Sequence, residues 1–100
     1  MLFDKLGREY HYRRNDLVFP AGQRQVIENR VKAWLPDEID GSKVLRRGDS
    51  DGFKYYLDDE SWLLIRFSGT EPLLRVYCET TSAERVETLL RLGREAAGIE

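Results

Sequence analysis

Residues 53–79 read Phe-Lys-Tyr-Tyr-Leu-Asp-Asp-Glu-Ser-Trp-Leu-Leu-Ile-Arg-Phe-Ser-Gly-Thr-Glu-Pro-Leu-Leu-Arg-Val-Tyr-Cys-Glu. Phe53, Tyr55 and Leu57 alternate with Lys54 and Tyr56, the period of a strand with one buried face. Asp58–Ser61 is a turn. Trp62–Phe67 is almost continuously apolar, as expected of a central strand. A loop at Ser68–Pro72 follows, and then Leu74, Val76 and Cys78 alternate with Arg75, Tyr77 and Glu79. Connections this short require antiparallel pairing.

Upstream, Asp49–Gly52 is a turn whose Asp51-Gly52 pair is a strong hairpin cue. Lys43–Arg46 is a further short strand, and Asp37–Ser42 a loop. Gln23–Leu35 carries Ile27, Val31, Trp34 and Leu35 at helical spacing and stops at Pro36. Pro20, Ala21 and Gly22 punctuate the chain before it; Arg8–Phe19 reads as extended and Leu2–Leu6 as one helical turn ended by Gly7. Downstream, Thr81 and Glu84 have capping-box spacing. The helix they open lines up Val86, Leu89, Leu90, Gly93 and Ala97, and Gly98 closes it. The expected fold is α+β: a small antiparallel sheet of about four strands packed against two helices. Residues 1–20 read as a linker and 21–100 as the folded domain.

The 100 residues suit one domain, and 41% hydrophobic with 34% charged residues is a folding composition. A formal net charge of −2 argues against a dedicated nucleic-acid binder. Lys5, Lys32, Lys43 and Lys54 are the only lysines; the other basic residues are arginines, whose planar fork suits phosphate and carboxylate. Cys78 is the sole cysteine, so it reads as a small buried thiol in a reducing compartment. No apolar run is long enough to span a bilayer, and the first residues lack a signal-peptide core. The expectation is a cytoplasmic protein with neither nucleic acid nor membrane as partner.

The chemistry concentrates in Arg66-Phe67-Ser68-Gly69-Thr70-Glu71-Pro72. A buried strand delivers Arg66 to its end, and two hydroxyls, Ser68 and Thr70, flank Gly69. Glycine permits a sharp turn and close approach of a ligand to the backbone. Backbone N–H groups in such a turn, an arginine fork and two hydroxyls can together satisfy a phosphate dianion. Pro72 stiffens the exit. The same residues also suit a plain β-turn in which Ser68 and Thr70 bond their own backbone. The glycine spacing and lysine of a P-loop are absent.

Arg66–Glu79 resembles the phosphate-binding loop and following strand of the α-D-phosphohexomutase superfamily, phosphoglucomutase/phosphomannomutase type. That signature is Arg-x-Ser-Gly-Thr-Glu-Pro running into Arg-Val-Tyr-x-Glu. Asp51-Gly52-Phe53-Lys54 and Trp62-Leu63-Leu64-Ile65 are similar to the strands before it. The resemblance covers 51–90 well and 1–50 loosely. It implies a TATA-binding-protein-like last domain of a four-domain enzyme that interconverts hexose 1- and 6-phosphates through a phosphoserine and Mg2+. Carried over by position, Arg66, Ser68, Gly69 and Thr70 contact the substrate phosphate that is not transferred. Glu71 and Pro72 shape the loop, and Arg75 is a secondary candidate. The family's phosphoserine segment, metal loop and sugar-reading loop have no counterpart here, so the chain is expected to hold no catalytic residue and no metal ligand. Its partners would be a hexose phosphate and the other three domains, and alone it would be inactive.

Elsewhere, His11 reads as a surface or linker histidine and the Arg13-Arg14 and Arg46-Arg47 doublets as solvated strand edges. Asp58, Asp59 and Glu60 read as an acidic turn, and Trp34 and Trp62 as core. Tyr55, Tyr56 and Tyr77 on a sheet face suggest the alternative, a non-catalytic module binding single-stranded RNA or a protein. Net charge and the missing ribonucleoprotein signature count against RNA.

Overall fold

The computed structural model describes residues 3–4, 8–50 and 52–99. Its elements are β1 (Phe3–Asp4), β2 (Arg8–Glu9), β3 (His11–Val18), α1 (Arg24–Ala33), β4 (Glu38–Ile39), β5 (Ser42–Gly48), β6 (Phe53–Leu57), β7 (Trp62–Phe67), β8 (Leu73–Thr80) and α2 (Ala83–Ala97). Strands β1 and β2 pair with each other; the rest form one six-stranded antiparallel sheet in the order β3-β8-β7-β6-β5-β4. The α+β class is as expected, but the sheet has six strands rather than about four.

Both additions have local causes. The Asp37–Ser42 segment is not a plain loop: Asp40 and Gly41 adopt φ of 51° and 83°, the left-handed pair that closes a two-residue hairpin. That turn pairs Ile39 with Ser42. Residues 11–18, inside the stretch expected as a linker, pair with β8 along its whole length, from His11 opposite Thr80 to Val18 opposite Leu73. Phe3–Asp4 is strand rather than helical turn; the remainder of that expected turn, with Leu2, Lys5, Leu6 and Gly7, lies outside the described residues, as does Asp51.

Alternation assigns the two faces of the sheet. Phe53, Tyr55, Leu57, Leu63, Ile65, Leu74, Val76 and Cys78 turn inward and join Ile27 and Val31 of α1 and Val86, Leu89, Leu90 and Ala97 of α2 in one core. At Gly93 the helix lies so close to the sheet that a Cβ would meet Val76 Cγ1 at 2.8 Å. The expected capping box is displaced by one residue: Ser82, not Thr81, is the N-cap, its hydroxyl accepting from the Arg85 N–H at 3.2 Å. Gly98 closes α2 at φ 76°, as expected. Among the described residues, the opposite face carries no helix. There Trp62, expected in the core, is half-buried beneath Tyr12, with ring centroids 6.0 Å apart. Lys54 sits 4.4 Å over the same ring. Tyr56 and Tyr77 alternate onto this face, whereas Tyr55 points into the core.

Candidate functional site

Strand β7 ends by delivering Arg66 to an exposed position. Opposite it in register lies Arg75, and opposite Arg75 lies Asp16 on the edge strand. Like charges facing each other across strands repel. Asp16 offsets part of this: its Oδ1 is 3.2 Å from Arg14 Nε and 3.9 Å from Arg75 Nε. The Arg75 Nε is itself buried and makes no hydrogen bond among the described residues.

Beyond Arg66 the chain turns around Ser68, which is 8% exposed. Its N–H donates to the Leu73 carbonyl at 2.9 Å, and its hydroxyl accepts from the Thr70 and Glu71 N–H groups, each at 3.4 Å. Ser68 therefore does bond its own loop backbone, as a serine in a tight turn can; no such bond forms at the Thr70 hydroxyl among the described residues. The Phe19 N–H donates to the Pro72 carbonyl at 3.1 Å, so the edge strand is tied to the loop exit.

Two glycines set the approach. Gly52 has φ 98°, and a Cβ there would meet the Ile65 carbonyl oxygen at 2.8 Å and Arg66 Cβ at 3.1 Å; only glycine lets this turn lie against the end of β7. Gly69, expected to serve a sharp turn, has no left-handed φ, and nothing lies within 4 Å of where its Cβ would be. The space beside it is open. A cavity of about 380 Å³ brings together Arg66, Gly69, Gly52, Arg24, Glu28 and Asp49. A second, of about 260 Å³, shares Gly69 and Arg24 with it and takes in Thr70, Glu71 and Pro72.

Arg24 is the residue that sequence reasoning missed. It opens α1, donates from Nη1 to the Ser68 carbonyl at 2.9 Å and stacks 4.8 Å from the Phe67 ring centroid. Its partner is 44 residues away, and an arginine in the first turn of an amphipathic helix carries no local sign of that contact. The other residues singled out in the sequence stand apart from this loop. Arg13 pairs with Glu87 at 3.1 Å, Arg47 donates to the Lys32 carbonyl at 2.9 Å, and Asp59 pairs with Arg85. Burial pushes the Cys78 thiol up to about 12, the value of an inert core group. Among the described residues, no three His, Cys, Asp or Glu side chains gather as a metal-binding group, and no helix is long and apolar enough to cross a membrane.

Residues 24–92 match the family model for the phosphoglucomutase/phosphomannomutase C-terminal domain. The chain is 34% identical over 92 residues to a phosphoglucomutase/phosphomannomutase of Thermococcus kodakarensis, covering 92% of this chain and 18% of that protein. It is 36% identical over 72 residues to a probable phosphoglucosamine mutase of Methanothermobacter thermautotrophicus, 72% of this chain and 16% of that protein. A phosphopentomutase of T. kodakarensis is 46% identical over 83 residues, 83% of this chain and 18% of its own length. The chain thus spans less than a fifth of the length of these relatives. With residues 24–92 matching its model, the chain belongs to the phosphoglucomutase/phosphomannomutase C-terminal domain family of the phosphohexomutases.

Proposed function

We propose that this domain holds the non-transferred phosphate of a hexose phosphate in the Arg66–Pro72 loop, within a larger phosphoglucomutase/phosphomannomutase-type enzyme. The observation that carries the reading is that Arg66, Gly69 and Thr70 line two cavities that share Gly69, with Ser68 ordering the loop and Arg75 facing Arg66 across the strands. Arg66 supplies the fork and the net charge, Thr70 and Ser68 supply hydroxyl protons, and Gly69 an unhindered N–H. Glu71 and Pro72 shape the exit, and Arg75 adds positive potential from the next strand. The relatives are named for glucose, mannose, glucosamine and pentose phosphates. What those substrates share is a phosphate, which supports a domain that grips phosphate and leaves the sugar to be read elsewhere.

In this proposal residues 1–20 bring the chain in from a preceding domain, with β3 docked on the edge of the 21–100 unit. Three further domains complete the cleft, in a cytoplasmic enzyme consistent with the single buried thiol. In this proposal the Mg2+ implied by the family is held by another domain of the larger enzyme. The aromatic face with Tyr12, Trp62, Tyr56 and Tyr77 gives the RNA alternative a surface, but the family match favours the mutase.

The test is a heteronuclear NMR titration of the chain with glucose 6-phosphate, using free glucose as control. The expected result is shifts confined to the amides of 66–70, absent with glucose. Arg66→Ala should abolish most of the response while the rest of the spectrum stays native. If Arg66→Ala unfolds, that arginine is structural and the loop assignment fails.

A further inference from the structure

The peptide that joins Ser68 to Gly69 is held from one side only. Its carbonyl oxygen accepts the 2.9 Å hydrogen bond from Arg24 Nη1. The Gly69 N–H of the same peptide unit makes no hydrogen bond among the described residues. A trans peptide is planar, with its C=O and N–H pointing in opposite directions, and none of the described peptides is cis. Arg24 approaches from α1, which packs on the inward face of the sheet with Ile27 and Val31. The Gly69 N–H therefore points away from the Arg24 guanidinium.

The guanidinium that fixes this peptide is itself fixed. It lies over the Phe67 ring, and that ring meets Phe19 edge-on at 5.9 Å between centroids. A cation on a carbonyl oxygen also polarises the peptide, which strengthens the N–H at its other end as a donor. Apart from its chain neighbours, no atom lies within 4 Å of where a Gly69 Cβ would stand, and Gly69 lines two cavities, which leaves room for an anion beside this peptide.

We propose that Arg24 is a positioning residue of the anion site: it locks the Ser68–Gly69 peptide plane so that the Gly69 N–H is presented to a phosphate. The inference rests on the phosphate-holding reading of the loop. It assigns work to α1, whose first residue reaches the loop through space and not along the chain.

The experiment is a titration of the labelled chain with inorganic phosphate, in wild type, Arg24→Met and Arg24→Lys, following every amide. In wild type the Gly69 amide should show the largest shift. Arg24→Met should weaken apparent affinity roughly tenfold, the usual scale for one charge-assisted hydrogen bond. The Gly69 amide should also lose its place as the most responsive while the α1 and core amides stay native. Arg24→Lys, which keeps a cationic donor, should recover part of both effects. Arg24→Gln repeats the measurement should Arg24→Met not fold. An Arg24→Met or Arg24→Gln variant that binds like wild type, with the same Gly69 shift, overturns this inference alone. So does an Arg24→Lys variant no better than Arg24→Met. A wild-type chain in which no loop amide responds to phosphate overturns both the inference and the reading beneath it.

Discussion

Ser68 accepts two hydrogen bonds from its own loop and still has a proton to give. Its Oγ takes the Thr70 and Glu71 N–H groups at 3.4 Å, long bonds that order the turn without exhausting the hydroxyl. Removing it should loosen the loop more than the fold. Ser68→Ala is expected to speed amide hydrogen exchange at Thr70 and Glu71 and to weaken phosphate binding about five- to tenfold. Its melting temperature should fall by only a few degrees, since one weak hydrogen bond pair is lost. Unchanged exchange at those two amides would remove Ser68 from the ordering of the loop. At this scale the sequence was legible where the candidate site is local: Arg66, Ser68, Gly69 and Thr70 fall within one short run of the chain. At Gly69 the expected sharp turn needs no left-handed φ, while the open space beside it is what close approach of a ligand would require. The sequence was silent on Arg24, because a contact between residues 44 apart is a product of the fold.

Helix α1 is the element that brings Arg24 to the loop, and its other end is held by Tyr55 and Arg47. The four last carbonyls of a helix lack intrahelical partners. Here the fully buried Tyr55 donates to the Trp34 carbonyl at 2.9 Å and reaches the Val31 carbonyl at 3.3 Å, and Arg47 donates to the Lys32 carbonyl at 2.9 Å. Burial raises the pKa of the Tyr55 phenol above its ordinary value, against the opposing pull of Arg47, so it remains a donor at neutral pH. Tyr55→Phe should destabilise the chain by about 1–2 kcal/mol, the usual cost of stranding a buried acceptor, read as a lower urea midpoint at unchanged slope. A midpoint within error of wild type would mean that water replaces the phenol at those carbonyls. Elements followed from the sequence wherever one period ran clean, as in Phe53–Leu57 and Trp62–Phe67, which form strands with those bounds. They failed to follow where the signal was two residues long, as in Glu38–Ile39; His11–Val18 was legible as extended, but its arginines masked its place as an edge strand of the sheet. Trp62 misled because a large aromatic marks a sheet face equally well when that face is open.

Across the whole molecule, the fold is pinned at the end of the sheet opposite the candidate loop. Arg85 of α2 reaches Asp40 and Ser42 in the β4–β5 turn, Asp59 in the β6–β7 turn and Thr80 at the end of β8. With its side chain 15% exposed, Arg85 joins a helix to three strand ends in one cluster. Burial alone would raise the Asp59 carboxyl, but hydrogen bonds from Arg85 and Ser61 outweigh it and hold the pKa below the usual carboxylate value. A carboxylate depressed in the folded state adds stability above its unfolded pKa, and that stability is lost as pH falls through the folded value. The window therefore opens below about pH 4, the unfolded aspartate value. Asp59→Asn should lower the melting temperature at neutral pH, because it leaves a mostly buried Arg85 short of charge. The gap to wild type should hold steady from about pH 7 to 5 and close below about pH 4, where wild type loses the same charge. A gap of the same size at about pH 3 would show that Asp59 acts through packing rather than charge. Because the cluster and the loop sit at opposite ends of β7, Asp59→Asn should leave the phosphate response of Arg66 and Gly69 at neutral pH as it is in wild type. An altered response would mean that α2 and the loop are coupled through the sheet, and that pinning the fold and presenting the phosphate are one task.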